Sequence, residues 1–276
     1  MQENHQLRQV QQMTLGLLKV FADLCRKHAL RYYVSGGALI GLKRHGGFIP
    51  WDDDIDIVMP RADYERLLEL LKTQMPDGYG LCNRHTDPNW HFALSQFTDE
   101  MTEIEIDLAQ TPRKAHIWLD IFPVDGLPDG KFARWWQVKY VLLHRYLVQM
   151  AHVATQVDAH RKRPLAERLV LGLCRVIPLG KLINSDKVLD HMERVLRKYD
   201  FDSSRYAANL LGRYREREVM PQRYFGTPTP AVFGGVEICV PELSHETLTH
   251  LYGDYMQLPP EDERVAHNVR VLKARQ

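Results

Sequence analysis

Asp54 and Asp56 stand one residue apart in the run Asp52-Asp53-Asp54-Ile55-Asp56-Ile57-Val58-Met59. Read as a strand, its period-two alternation sends Ile55 and Ile57 to one face and the two aspartates to the other. The carboxylates then lie about 6.6 Å apart along the chain and can converge on one or two Mg²⁺ ions that also hold substrate phosphates. Like charges held together destabilise a strand unless a cation neutralises them, which favours a metal over a solvated acidic turn. Metal-dependent transfer of a phosphoryl-type group is the leading reading. Two further readings use the same residues. The Asp52, Asp54, Asp56 spacing opens an EF-hand loop, but that loop wants Gly next and Glu at its twelfth position, where this chain has Ile57 and Asp63. A glycosyltransferase also presents an Asp-x-Asp at a strand end.

Upstream, Tyr32-Tyr33-Val34 suggests a short strand running into Ser35, and Gly36-Gly37 lets the backbone turn tightly and approach a phosphate. Ala38 to Leu42 then reads as one short helix. Downstream, Asp120 is one carboxylate inside the bulky run His116-Ile117-Trp118-Leu119-Asp120-Ile121-Phe122. An unpaired buried carboxylate is costly, so Asp120 is expected to face a metal or accept a strong hydrogen bond. If its strand lies beside that of Asp54 and Asp56, three carboxylates converge, and the third is placed to take a proton from an attacking hydroxyl. Asp125, before Gly126, reads instead as a strand-end residue capping the next turn.

The elements that must position these groups follow from the periodicity. Residues 3–29 read as a helix with Leu7, Val10, Leu17, Phe21 and Leu24 near one face, packed over the sheet. Pro60 begins a helix to about Thr73 with an apolar stripe of Tyr64, Leu67, Leu68 and Leu71. Between residues 79 and 107, Tyr79–Cys82, Phe92–Leu94 and Ile104–Ile106 read as short strands, separated by turn-like Asp87-Pro88-Asn89 and Asp99-Glu100. From Pro128 to about Arg217 the chain reads as mainly helical, with amphipathic runs at Trp135–Val153, Leu165–Val176 and Lys187–Tyr199. Ala231–Pro241 reads as a hairpin turning on Gly234-Gly235, with a helix starting near Ser244.

The chain has 276 residues, 45% of them hydrophobic, and a net charge of +1 from 36 basic and 35 acidic residues. That is enough for a sizeable core and lacks the basic imbalance of a nucleic-acid binder. The charge is uneven: Lys131 to Asp200 holds fourteen Lys or Arg against six Asp or Glu, an excess of eight. Arg161-Lys162-Arg163, followed by an aliphatic run, suits an anionic membrane or an acidic acceptor; a solvated basic face over an ordinary core is the plainer reading. Cys25, Cys82, Cys174 and Cys239 are widely spaced, which suggests neither zinc nor a disulfide framework and fits a reducing compartment. The polar start lacks a signal-peptide pattern, and the expectation is a cytoplasmic protein, with peripheral contact at the inner face of the cell membrane as an extension of it.

With these residues in view, the chain resembles the LicD family of phosphotransferases and, more distantly, the fukutin-related proteins. The resemblance runs almost unbroken from Gly36-Gly37 through Arg44-His45-Gly46-Gly47-Phe48-Ile49-Pro50-Trp51 to Asp52-Asp53-Asp54-Ile55-Asp56. Trp118-Leu119-Asp120-Ile121-Phe122-Pro123 is similar to the family's second block, and Leu251-Tyr252-Gly253-Asp254-Tyr255-Met256 with Pro259 to its C-terminal block. The family more often has Thr after the glycine pair, where this chain has Ala38.

The resemblance implies an α+β fold: a nucleotidyltransferase-like mixed sheet core over residues 1–127, and a mainly helical subdomain with a C-terminal hairpin over 128–276 completing the same catalytic unit. It also implies transfer of phosphocholine, or a related substituted phosphate, from CDP-choline or another CDP-alcohol to a sugar hydroxyl of a cell-surface glycan or its lipid-linked precursor. In that scheme Asp54, Asp56 and Asp120 bind Mg²⁺ or Mn²⁺ and serve catalysis, with Asp120 as the base. Gly36, Gly37, Arg44, Trp51 and Asp53 contact substrate. A choline site should offer aromatic faces, for which Tyr32, Tyr33, Trp51, Trp90, Phe92 and Trp118 are candidates. Two other outcomes stay open: transfer of a nucleoside monophosphate from an NTP, and a catalytically dead nucleotide-binding scaffold.

Overall fold

A computed structural model of the chain describes residues 2–106, 113–152, 183–261, 264 and 269–275. In chain order these form α1 (Gln2–Lys27), β1 (Tyr33–Ser35), α2 (Gly36–His45), β2 (Asp56–Pro60), α3 (Arg61–Leu71), β3 (Tyr79–Cys82), β4 (Ser95–Ile106) and β5 (Arg113–Leu127). Then come α4 (Lys131–Ala151), α5 (Ser185–Leu196), β6 (Tyr206–Ala208), a 3₁₀ turn (Arg215–Glu218), β7 (Met220–Pro221) and a second 3₁₀ turn (Gln222–Tyr224). The chain closes with β8 (Thr229–Phe233), β9 (Val236–Val240), α6 (Ser244–Tyr252) and β10 (Val269–Lys273).

β5 is the spine of a mixed, eight-stranded sheet whose main path runs β1-β2-β5-β4-β10. It pairs parallel with β2 through residues 120–124, antiparallel with β4 along its first half, and antiparallel with β6 at its last three residues. β4 divides its outer edge, taking β3 at Gln96–Asp99 and β10 at Glu103–Ile106. The expected α+β class is found.

Alternation sorts the central strands into two faces. Val34, Ile55, Ile57, Met59, Ile117, Leu119 and Ile121 enter one core with Val10, Leu17, Leu18 and Phe21 of α1. That is why α1 lies over this side, as its apolar spacing predicts. The opposite parity puts Ser35, Asp56 and Asp120 on the other face, followed by Val58 and Val124 in a second core with Tyr33, Phe225 and Leu251.

Several sequence expectations need correction. The helix after Ser35 begins at Gly36 itself and runs to His45, ending on Gly46 in the left-handed region at φ 70°. Phe92–Leu94 is not a strand, while Asp99-Glu100 lies inside β4, where the ladder shifts register between Asp99 and Ile104. Asp125 caps nothing: it is buried within β5 and accepts two hydrogen bonds from Arg61, Nε at 2.6 Å and Nη2 at 2.7 Å. The segment 128–217 includes β6 and a 3₁₀ turn as well as α4 and α5, and β10 had no signal in the periodicity. The helix expected at Leu165–Val176 and the Arg161-Lys162-Arg163 cluster lie outside the described residues.

Candidate active site

β1, β2, β5 and β4 place one residue each in a row across the sheet. Ser35 is partnered with Asp56, Asp56 with Asp120, and Asp120 with Gln96. The row follows from register: the β-parity that buries Ile57 and Ile121 forces these polar neighbours together on the opposite face. Asp120 accepts from Gln96 Nε2 at 2.9 Å and from Trp118 Nε1 at 3.1 Å, one bond to each oxygen.

Crowding and burial set the electrostatics. The Asp56 carboxyl is pushed well above the usual carboxylate range, first by desolvation and then by the charges of Asp54, Asp120, Asp52 and Glu218. Asp120 is raised to about 6, mainly by desolvation; its two hydrogen bonds pull it back and the Asp54 charge adds to the rise. Carboxylates in this state want either protons or a cation.

The glycine pair fits against the same acids. A Cβ on Gly36, whose φ is +60°, would come within 2.6 Å of Asp56 Oδ2, and one on Gly37 would collide with Asp52 Oδ2. Only glycine lets the N-terminus of α2, with its positive dipole end, come this close to the carboxylates and to any phosphate between them.

Ser35, Gly36, Gly37, Arg44, Trp51, Asp52, Asp54 and Asp56 line a cavity of about 750 Å³. Arg44 Nη2 donates to Gln257 O at 2.8 Å, while its buried Nε has no hydrogen-bond partner among the described residues. Arg44 is part of this cavity's lining, where a guanidinium suits an anion. The Trp51 ring lies 5.4 Å from the Arg264 guanidinium.

Not every expected residue shares this space. Asp53 is buried and lines a separate small cavity with Val10, Thr14, Ile104 and Trp118. Asp120 sits behind Asp56 rather than on the large cavity's wall. Among the expected aromatic faces only Trp51 lines that cavity. Tyr32, Tyr33 and Trp90 are core residues, with Tyr33 Oη donating to Gly226 O and Trp90 Nε1 to Leu94 O.

The same cavity is also lined by residues beyond 200 that the spacing did not single out. Tyr214 and Tyr252 meet edge to face with ring centroids 4.9 Å apart, and buried Glu218 accepts from the Tyr214 N–H at 3.2 Å. Desolvation raises Glu218 to about 7. Tyr252 belongs to the C-terminal block already noted, but Glu218 sits in Arg213-Tyr214-Arg215-Glu216-Arg217-Glu218, which reads as a solvated charge run.

Among the described residues no three His, Cys, Asp or Glu side chains stand close enough together to hold a metal ion by themselves. Mg²⁺ does not need such a cage, because it usually takes one or two carboxylates and completes its shell with water and substrate phosphates. Asp54 and Asp56, both on the cavity wall, fit that pattern.

The model of the LicD/FKTN/FKRP nucleotidyltransferase domain matches residues 29–168. The lipopolysaccharide cholinephosphotransferase LicD of Haemophilus influenzae is 31% identical over 272 residues, covering 96% of this chain and 96% of that protein. Uncharacterised proteins of Rickettsia prowazekii and Rickettsia typhi are 36% and 35% identical over 63 residues, 23% of this chain and 24% and 20% of theirs. The match to LicD spans nearly the whole length, from the glycine pair to the tyrosine wall, and this chain is a transferase of the LicD family.

Proposed function

We propose that the protein transfers phosphocholine from CDP-choline to a sugar hydroxyl of lipopolysaccharide or a related lipid-linked glycan, releasing CMP. The observation that carries this reading is the division of one cavity into two chemistries. Asp54, Asp56, the N-terminus of α2 and Arg44 make one set of lining groups; Tyr214, Tyr252 and Glu218 make the other. The first suits a diphosphate. The second suits a quaternary ammonium, which has no N–H to donate and is recognised by aromatic faces and carboxylates.

Asp54 and Asp56 would hold Mg²⁺ or Mn²⁺, whose charge would offset that of the diphosphate. The α2 N–H groups and Arg44 orient the phosphate oxygens. Asp120, fixed by Gln96 and Trp118 and raised toward neutral, supports Asp56 from behind the cavity wall, and the acceptor proton reaches it only by way of Asp56. The Tyr214–Tyr252 pair seats the choline, and Glu218 faces its charge.

The relative's name supplies the acceptor class, since it is a lipopolysaccharide cholinephosphotransferase. The test is incubation with choline-labelled CDP-choline, Mg²⁺ and lipopolysaccharide. Label should enter the glycan, and label that remains in the nucleotide while the same acceptor takes up nucleotide from CTP would support nucleotidyl transfer instead.

A further inference from the structure

α4 carries an outer face that no other described element covers. At 100° per residue, Phe132, Trp135, Trp136, Lys139, Leu143 and Tyr146 fall within about 100° of arc, opposite Val138, Val141 and Val148, which are buried. Phe132 is 76% exposed and Trp136 59%, and Trp135, Leu143 and Tyr146 are also exposed. Phe132 and Trp135 stack at 6.0 Å and Trp135 lies 6.3 Å from Trp136, so the aromatic rings form one patch near the start of the helix.

The neighbouring surface is cationic. Lys139 Nζ reaches Glu216 Oε1 at 2.5 Å and ties the stripe to the 213–218 loop, where Arg213, Arg215 and Arg217 are all exposed. The same loop walls the large cavity through Gly212, Arg213, Tyr214 and Glu218, and α4 grips its base where Arg145 Nη1 donates to Leu210 O and to Gly212 O at 3.0 Å. An aromatic stripe of this kind, flanked by exposed arginines, has the chemistry of an interfacial anchor. No helix among the described residues is long and apolar enough to cross a membrane, so a lipid contact through α4 would lie along the surface.

We propose that the outer face of α4 and the arginines of the 213–218 loop dock on an anionic lipid bilayer, setting the cavity mouth beside the headgroup layer. Such docking depends on exposure and charge and not on which donor the site uses. Docking through this face would hold the enzyme where a lipid-linked acceptor is concentrated.

The test is flotation of the full chain with vesicles of phosphatidylcholine alone and of phosphatidylcholine mixed with phosphatidylglycerol. The protein should float with the mixed vesicles, less so as salt rises, and brominated lipid should quench its tryptophan emission. Phe132→Ser, Trp135→Ser and Trp136→Ser together should cut vesicle binding by roughly tenfold or more with an unchanged melting temperature. Arg215→Gln with Arg217→Gln should remove the preference for anionic vesicles. Three results would overturn the proposal: no flotation with mixed vesicles, equal flotation of the aromatic variant, or light scattering that shows a dimer dispersed by those serines, which would make the face an interface between copies.

Discussion

Asp56 and Asp120 are partnered residues on the adjacent parallel strands β2 and β5, so two carboxylates share one row of the sheet. Among the described residues neither accepts a hydrogen bond from a cationic side chain, and both are held above the usual carboxylate range. The arrangement costs stability and makes sense as a device for binding positive charge.

Asp54→Asn and Asp56→Asn should therefore separate activity from stability. CMP release should fall by at least about a hundredfold in either variant. The Asp56→Asn melting temperature at neutral pH should rise, because a repelled, desolvated charge is gone. A melting temperature that drops sharply together with activity would mean that the carboxylate is structural.

Gly36→Ala tests the close approach. Its Cβ would meet Asp56 Oδ2 at 2.6 Å from a backbone at φ +60°, a conformation that costs an L-residue about 1–2 kcal/mol. Turnover should drop more than stability, as measured by kcat alongside a urea midpoint, since the displaced groups are those that face the phosphates.

Asp125→Asn should behave in the opposite way to Asp56→Asn. Arg61 and Asp125 are 8% and 1% exposed, so losing the carboxylate leaves a guanidinium buried without its counter-charge. Urea unfolding should show a loss of about 3–5 kcal/mol.

Glu218 gives a pH signature. Its pKa is about 7 in the folded chain against 4.5 ordinarily, so between those values the unfolded chain has released the proton and the folded chain has not. Stability contributed by this group should fall as pH rises through that window, by on the order of 3 kcal/mol in all. Comparing urea midpoints at pH 5 and pH 8, Glu218→Gln should flatten this slope and be the more stable form at pH 8.

What could be read from the sequence was what depends on short spacing. Alternation around Ile55 and Ile57 was enough to send Asp54 and Asp56 to one face, and the lone Asp120 in an apolar run was enough to mark a special position. The Gly234-Gly235 turn and the helix at Ser244 were equally local. Partnerships over long separations were not legible: nothing near Asp125 announces Arg61, 64 residues away. Nor does a charged hexapeptide reveal that Glu218 alone among its acids turns inward. The aromatic candidates failed for a related reason, since Tyr32 and Trp90 have the composition of a ligand wall but the strand and loop positions of core residues.

Tyr252 tests the choline side of the cavity. Cation–π contacts are worth up to about 2 kcal/mol when desolvated. Tyr252→Ala should raise KM for CDP-choline by roughly ten- to thirtyfold while leaving weak inhibition by CMP little changed. Equal losses for both ligands would place the tyrosine elsewhere in recognition.

The nucleotide product reports directly which bond is broken. With Mg²⁺ and a lipopolysaccharide acceptor present, the protein should consume CDP-choline faster than CDP-glycerol, CDP-ribitol or CTP. It should release CMP in proportion to the choline transferred and stop when EDTA is added. Pyrophosphate released from CTP while CDP-choline stays intact would show that the protein transfers a nucleotide and not phosphocholine.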